Sequence, residues 1–203
     1  MFYLIGVAHR VQTFENWDVL NEGQTQLAAT IRACIERFAP RGIAEEHSRE
    51  ALGEHHSIAQ RLAEEHKLEH RFCDPESDWR KVLGYKSRDQ LEMEIFTHSW
   101  DVPANDIICG RAGAIEIALY LPMRERRWLE CLADVLAENV VFVCGQAHIE
   151  SFARLLQSYG VDFTVVAERI GVNAEDDRLV ALARAYLAAH PDPTKDEPGV
   201  GNL

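Results

Sequence analysis

The sequence lacks the features that mark membrane, secreted and nucleic-acid-binding proteins. Its longest apolar runs, such as residues 140–144, fall far short of the roughly 20 residues that span a bilayer. The first ten residues carry no basic cluster ahead of an apolar core, so we predict no secretory signal. Lys and Arg number 21 against 33 Asp and Glu, without a basic patch among aromatics. We therefore expect neither nucleic acid nor membrane as a partner.

Cysteine is also scarce. The five cysteines are odd in number, widely spaced and mostly set among apolar neighbours: Cys34, Cys73, Cys109, Cys131 and Cys144. This distribution argues against a disulfide framework and against a zinc knuckle of the CxxC type. A composition that is 47% hydrophobic and 27% charged is typical of a globular protein. We therefore expect a soluble protein in the reducing cytoplasm.

Short apolar runs alternate along the chain with amphipathic segments. Strands are predicted at residues 2–7, 41–45, 68–73, 140–144 and 161–165, and helices at 27–38, 48–66, 114–136, 151–159 and from 173 or 176 to 188. Pro40 ends the first helix, and Pro122 is expected to break the fourth. The alternation predicts an α/β fold, with a mostly parallel central sheet flanked by helices in a single domain over residues 1–189.

Residues 74–113 form a less regular stretch within this pattern, with one short helix predicted at 90–97. It is too long to be a simple connection, so we expect an excursion that covers the site. Its aromatic residues could line a substrate pocket: Trp79, Tyr85, Phe96 and Trp100. Among its basic residues, Arg80 and Arg88 are predicted to bind an anionic group of the substrate. The tail, residues 190–203, is rich in Pro, Gly and Asp and is predicted to be disordered.

Polar side chains stand where four of the predicted strands end. They are His9, Glu45 with Glu46, Asp74 and His148. The carboxyl ends of parallel strands meet at one edge of a sheet, and ligands bind there. Two imidazoles with up to three carboxylates are donors that suit a divalent transition metal. The sequence therefore predicts a site at this edge.

Both histidines end the same type of tetrad, Gly6-Val7-Ala8-His9 and Gly145-Gln146-Ala147-His148. The glycine lets the backbone turn sharply off the strand, so the imidazole can face inward. His148 is also predicted at a helix N-terminus, where the positive end of the helix dipole should keep its ring neutral. Each histidine taken singly is more often a structural residue than a ligand, and their joint placement carries the prediction.

The acidic and basic candidates have alternative readings. Glu45 still lies within its predicted strand and ranks above Glu46 as a ligand, since an unpaired buried carboxylate is costly. Asp74 precedes a proline and could belong to an ordinary turn. Arg124 stands in a basic group before Trp128, either as a solvated helix start or as an anchor for a substrate carboxylate or phosphate.

These motifs resemble a known family. Tyr3-Leu-Ile-Gly-Val-Ala-His9, Gly42-Ile-Ala-Glu45 and Val140-Val-Phe-Val-Cys-Gly-Gln-Ala-His148 look like the TraB/PrgY/GumN superfamily, which includes the Tiki proteases. The resemblance extends to the broader erythromycin-esterase and ChaN-like fold. The resemblance covers about residues 2–50 and 123–167. It implies a metal-dependent hydrolase centre at His9, Glu45 and His148. The sequence departs from the family where Glu46 and His47 follow Glu45, in place of an apolar residue and an aspartate.

The leading hypothesis is a metal-dependent hydrolase that cleaves an amide or ester bond in a small molecule or peptide. His9, Glu45 and His148 would bind a divalent ion of the Mn, Co or Zn type, and Glu46 or Asp74 would act as general base. The nearest alternative is a metal-independent hydrolase in which a histidine and a glutamate activate water. A third is a non-catalytic protein that binds a peptide or haem, with His9 or His148 as axial ligand. A homo-oligomer is compatible with each.

Overall fold

The computed structural model describes residues 1–98 and 105–195, and the chain divides into two compact units. The first unit comprises residues 1–77 and 124–172. The second comprises residues 78–123 and the chain from residue 173 onward. Most of the predicted excursion, residues 74–113, therefore belongs to the second unit. Trp100 and the part of the predicted tail beyond residue 195 lie outside the described residues.

A five-stranded parallel sheet forms the centre of the first unit, in the order β5-β3-β6-β1-β7. The strands are β1 (Phe2–Val7), β3 (Gly42–Glu45), β5 (Glu69–Phe72), β6 (Val140–Gly145) and β7 (Phe163–Ile170). Two further short strands, β2 (Thr13–Phe14) and β4 (His56–Ser57), pair antiparallel. β1 and β6 are buried along their whole length, as continuous apolar runs require. The predicted α/β class with a parallel sheet is confirmed.

Helices cover both faces of this sheet. One face packs against α1 (Glu22–Phe38) and α3 (Ile58–His66), with a core that includes Ile5, Leu27 and Leu62. The other packs against α7 (Leu121–Cys131) and α8 (Ile149–Ser158), with Trp128, Phe142 and Phe152 at its centre. Successive residues of β1, β3 and β6 alternate between these two cores, because side chains on a strand point to opposite faces.

The first helices start and stop at identifiable signals. Asn21 and Gln24 form a capping box at the start of α1, and Ala39 in a left-handed conformation ends it before Pro40. The helix predicted over residues 48–66 is instead α2 (Arg49–Leu52) and α3, with β4 between them. Gly53, at a φ of 55°, ends α2, and the side chain of Ser57 accepts from the Gln60 N–H to cap α3.

The second unit is helical. It contains α4 (Ser77–Val82, which starts at the boundary of the first unit), α5 (Arg88–His98), α6 (Asn105–Ile115) and α9 (Ala174–Ala189). α6 packs closely on α9. Gly113 of α6 lies so near α9 that a Cβ added to it would be 2.7 Å from the Cβ of Ala183. Residues 116–120 form a π-helical turn that leads into α7. The prediction that Pro122 breaks the helix is wrong. Pro122 is the second residue of α7, and the widened turn before it accommodates the missing N–H.

The register of the sheet brings three strand ends side by side. Val7 of β1 pairs with Gly145 of β6, and Glu45 of β3 pairs with Val143. Glu46 follows β3 directly, and His9 follows β1 after Ala8. His148 is the last residue of the 3-10 turn that follows β6. The carboxyl edge of the central strands is therefore where these polar side chains meet.

Candidate functional site

Glu46, not Glu45, points toward the two histidines. Its backbone N–H donates to Val143 O at 2.8 Å, so the strand geometry of β3 extends one residue further. Ile43 and Glu45 then face the α1/α3 layer, whereas Ala44 and Glu46 face the α7/α8 layer. Glu45 and Glu46 diverge because neighbouring side chains on a strand lie on opposite faces. The structure thus brings together His9, Glu46 and His148 and leaves Glu45 elsewhere.

The buried carboxylate of Glu46 is surrounded by donors. Its Oε1 accepts from Arg124 Nη2 and lies 3.2 Å from His148 Nε2 and 3.7 Å from His9 Nε2. Its Oε2 accepts from the backbone N–H of Gly145. Glycine is needed there, because a Cβ would lie 2.8 Å from His9 Nε2 and 3.2 Å from Glu46 Oε2. Burial alone would raise the pKa of Glu46, but Arg124, His148 and His9 hold that pKa well below its ordinary value.

His148 is buried with a carboxylate at each ring nitrogen. Its Nδ1 lies 2.8 Å from Glu125 Oε1, which also accepts from Ser151 Oγ. The ring packs 4.5 Å from the Trp128 ring, centroid to centroid. Burial lowers the pKa of His148, but Glu46 and Glu125 outweigh it, so the net pKa is raised. These two carboxylates oppose the effect that the helix dipole is expected to have on the ring.

Arg124 links the acidic groups of the site. Besides the bond to Glu46, its Nε donates to Asp74 Oδ1 at 2.8 Å, and its Nη1 lies 3.5 Å from His148 Nε2. Trp128 Nε1 reaches the same Asp74 oxygen at 3.4 Å. Only 12% of the Arg124 side chain is exposed, so Arg124 is not a solvated residue at the start of a helix. This guanidinium provides positive charge inside the site.

His9 is the most accessible side chain of the set, with 59% of it exposed. Its Nε2 faces Glu46, and its Nδ1 lies 3.3 Å from Gln12 Nε2. The carboxylate of Glu46 favours the protonated ring. The loss of hydration on the crowded side of the ring and the positive charge of Arg124 outweigh that effect and lower the pKa of His9. A lowered pKa favours the neutral imidazole of His9, which lies at the boundary between the cluster and solvent.

Glu45 belongs to a separate cluster on the α1/α3 side. Its Oε1 accepts from Ser57 Oγ and lies 2.8 Å from His70 Nε2. Its Oε2 is buried and has no hydrogen-bond partner among the described residues. Because the Ser57 hydroxyl oxygen also accepts from the Gln60 N–H, this cluster is tied to the start of α3.

The two basic residues predicted to bind substrate lie in the second unit. Arg88 donates to Cys109 O and to Glu92, and it pairs with Glu116 at 3.5 Å. The guanidinium of Arg80 lies 5.1 Å from the centre of the Tyr85 ring. Their role toward a substrate stays a prediction.

Sequence reasoning missed Glu125, which binds the inner nitrogen of His148. It is 2% exposed, although it stands within the basic group Arg124–Arg127. A signal was present, because Glu125 precedes Trp128, Leu129 and Leu132 at intervals of three, four and seven residues. That spacing places it on the buried stripe of a helix.

The donors do not fit a divalent ion in this arrangement. Throughout residues 1–98 and 105–195, no three His, Cys, Asp or Glu side chains are grouped as ligands of one ion. Two imidazole nitrogens approach Glu46 Oε1, but the same oxygen accepts from Arg124 Nη2. A fixed guanidinium at the shared oxygen repels a second cation.

Comparison with protein-family models, with curated proteins and with solved structures finds no match to this chain. In the described part of the chain, none of the helices combines the length and the apolarity needed to cross a lipid bilayer.

Proposed function

We propose that this protein is a hydrolase that cleaves an ester or amide bond without a metal, with His9 as the general base. One observation carries the proposal: an exposed imidazole faces a buried carboxylate that is paired with a guanidinium of the protein. A general base must reach substrate, bind a proton reversibly near neutral pH and keep a fixed orientation. His9 meets the first two requirements, and Glu46 supplies the third.

The proton on His9 is assigned to Nε2, because that nitrogen faces the Glu46 carboxylate at 3.7 Å. The lone pair then lies on Nδ1, where Gln12 Nε2 makes only a long contact of 3.3 Å. In the proposed reaction, Nδ1 takes a proton from a water molecule as the water oxygen attacks the substrate carbonyl carbon. The same proton then passes to the ester oxygen or amide nitrogen as the bond from that atom to the carbonyl carbon breaks. An acid and an alcohol or amine are released, and the imidazole returns to its neutral form.

Negative charge that develops on the carbonyl oxygen needs a positive partner. Arg124 lies between Glu46 and Asp74 and is within 3.5 Å of His148 Nε2. His148 lies beside Arg124, its ring is fixed by Glu125, and its raised pKa means that it takes up a proton more readily than a free histidine. Groups held in place in a site with little water stabilise such charge without reorganisation. In this proposal Glu125 is a positioning residue.

The metal-dependent mechanism predicted from the resemblance would use His9, His148 and a glutamate as ligands. Because Arg124 occupies the shared carboxylate, no step of the proposed reaction is routed through an ion. Haem ligation through His148 is less favoured, since both of its ring nitrogens are engaged by protein groups. We also place the protein in a reducing cytoplasm, a location supported by five free thiols, four of them buried.

The test uses the full chain purified without a metal-chelating tag and a panel of p-nitrophenyl esters and p-nitroanilides. His9→Ala should lower kcat/KM by about 10²- to 10⁴-fold, the usual contribution of a general base. Added imidazole should restore part of the lost activity. The matched control is His66→Ala, which removes an exposed imidazole at the end of α3 and should leave the rate unchanged. Elemental analysis and a chelator are applied to the same samples.

Equal loss of activity in both histidine variants would mean that the hydrolysis is non-specific imidazole chemistry. Stoichiometric Mn, Co or Zn that disappears in His148→Ala, with activity lost on chelation, would replace the proposal by the metal-dependent mechanism. A panel without any turnover, together with a Soret band on addition of haem, would favour the non-catalytic alternative.

A further inference from the structure

A groove of about 430 Å³ lies on the first unit, beside the segment that carries His9. It is lined by Phe14, Trp17, Asp18, His56, Ser57, Gln60, Arg61 and Glu64. These residues come from the chain after β1 and from the first turns of α3. The volume is within the range of small-molecule sites, about 300–1,000 Å³.

The groove and the proposed general base share one short piece of backbone. His9 starts a 3-10 turn, Gln12 contacts its ring, and Phe14 follows two residues later. This piece is fixed to the start of α3, because Thr13 pairs with Ser57 and Gln12 O accepts from the Ile58 N–H at 2.9 Å. The groove and the segment that carries His9 are therefore held in place by the same elements.

One wall of the groove is aromatic. The rings of Phe14 and Trp17 lie 5.0 Å apart, and the imidazole of His56 lies 5.6 Å from the Phe14 ring. Such rings bind apolar bodies, and their faces also attract cations. The guanidinium groups of Arg32 and Arg61 already lie within 6 Å of the Trp17 ring centre, at 5.6 and 5.9 Å.

The polar lining is negative. Arg61 pairs with Glu65 at 3.1 Å, and Arg32 shares the same carboxylate at 3.5 Å, so these two guanidiniums and one carboxylate leave a single positive charge. Glu64 Oε1 accepts from Gln60 Nε2, a neutral donor. Among the described residues, neither Asp18 nor Glu64 has an ion-pair partner. Asp18 and Glu64 outnumber that remaining positive charge, and the net negative charge beside the aromatic rings complements an organic cation and repels an anion.

We propose that this groove binds an organic ammonium group carried on an apolar or aromatic body. The assignment of that cation to the substrate, as the part that lies beside the scissile bond, rests on the proposed function. The binding itself does not, since it requires only the groove.

The experiment is calorimetric titration of the full chain with benzyltrimethylammonium, with benzyl alcohol as the neutral probe and benzoate as the anionic probe. Saturable binding of the cation is expected, at least tenfold tighter than that of benzyl alcohol and weaker at high salt, as charge-driven binding requires. Benzoate should not bind. Asp18→Asn with Glu64→Gln should weaken cation binding by about tenfold, and Trp17→Leu by about threefold.

The matched control is the double variant Glu36→Gln with Asp162→Asn. It changes the net charge equally but alters exposed carboxylates that do not line the groove, and it should bind the cation like the parent. The proposal is overturned if benzyltrimethylammonium does not bind, if benzyl alcohol or benzoate binds as well, or if both double variants weaken binding equally. Cation binding in a protein without hydrolytic activity would support the groove as a binding site and reject the proposed function. Hydrolysis without cation binding would support the proposed function and reject the groove as a cation site.

Discussion

Glu45 and Glu46 are neighbours in sequence, yet their side chains build two different polar clusters on opposite faces of the same sheet. Glu46 is held by Arg124, by the Gly145 N–H and near two imidazoles, one of them exposed. Glu45 is held by a hydroxyl and one imidazole, and no Lys or Arg of the described residues pairs with it.

This difference shows how environment gives two identical residues different roles. A buried carboxylate with a guanidinium partner keeps its charge. The adjacent histidine is exposed, so a molecule from solvent can contact the imidazole that this carboxylate orients. A buried carboxylate bound by the hydroxyl that caps a helix instead links the sheet to that helix. The first cluster is suited to catalysis and the second to the stability of α3.

The largest effect is expected from removal of the cation that distinguishes the two clusters. Arg124→Met leaves Glu46 and Asp74 buried without their shared partner, and should lower the free energy of unfolding by about 3–5 kcal/mol. Urea unfolding measures the change. Arg126→Met, at an exposed neighbouring position, should stay within about 0.5 kcal/mol of the parent. Equal small effects would show that Arg124 does not stabilise the cluster.

Substitution of each glutamate by glutamine tests whether the two clusters contribute differently to kcat/KM. Glu46→Gln removes the charge that orients His9 and should lower kcat/KM by about 100-fold, within the range of general-base contributions. Glu45→Gln keeps a hydrogen-bonding group on the far face and should change kcat/KM by no more than about threefold. Both rates are taken on variants whose circular dichroism matches the parent. The reverse order would assign the site to Glu45, as the resemblance implies.

A smaller effect is expected from the Glu45 cluster. Ser57→Ala removes the cap of α3 and a donor to Glu45, and should destabilise the protein by about 1–2 kcal/mol. The value of kcat/KM per folded molecule should not change, because Ser57 does not contact His9, Glu46 or Arg124 in the described residues. Thermal unfolding and ester hydrolysis provide the two measurements. A loss of activity larger than the loss of folded protein would show that the Glu45 cluster also affects catalysis.

The smallest effect is a dependence of stability on pH through His148. Its pKa is raised in the folded protein, so its protonation stabilises the fold fully at pH values below the unfolded pKa, about 6.5. This contribution is lost as pH rises through the folded pKa. The difference in unfolding free energy between the parent and His148→Gln should therefore shrink with rising pH. Glu125→Gln, which removes one of the two carboxylates, should reduce that dependence, and a difference that grows with pH would contradict the assignment.

Much of the fold followed from pattern. The apolar runs of β1 and β6 and the helical spacing in α8 predicted a parallel α/β sheet, and the rule that strand ends converge predicted a polar cluster there. The divided helix at residues 48–66 and the π turn before Pro122 did not follow. Both depend on local hydrogen bonds, at Ser57 and at Leu121, that a period in hydrophobicity does not specify.

The sequence by itself determined which residue types reach the carboxyl edge of the sheet, because strand length and apolar runs fix where each strand ends. Only the tertiary structure decided which glutamate faces the histidines, since one residue of register exchanges the two faces of a strand. It also decided that Arg124 lies between Glu46 and Asp74, and that Glu125 binds His148. Those contacts join residues 23–78 positions apart, and only the packing of α7 on the sheet brings them within hydrogen-bond distance.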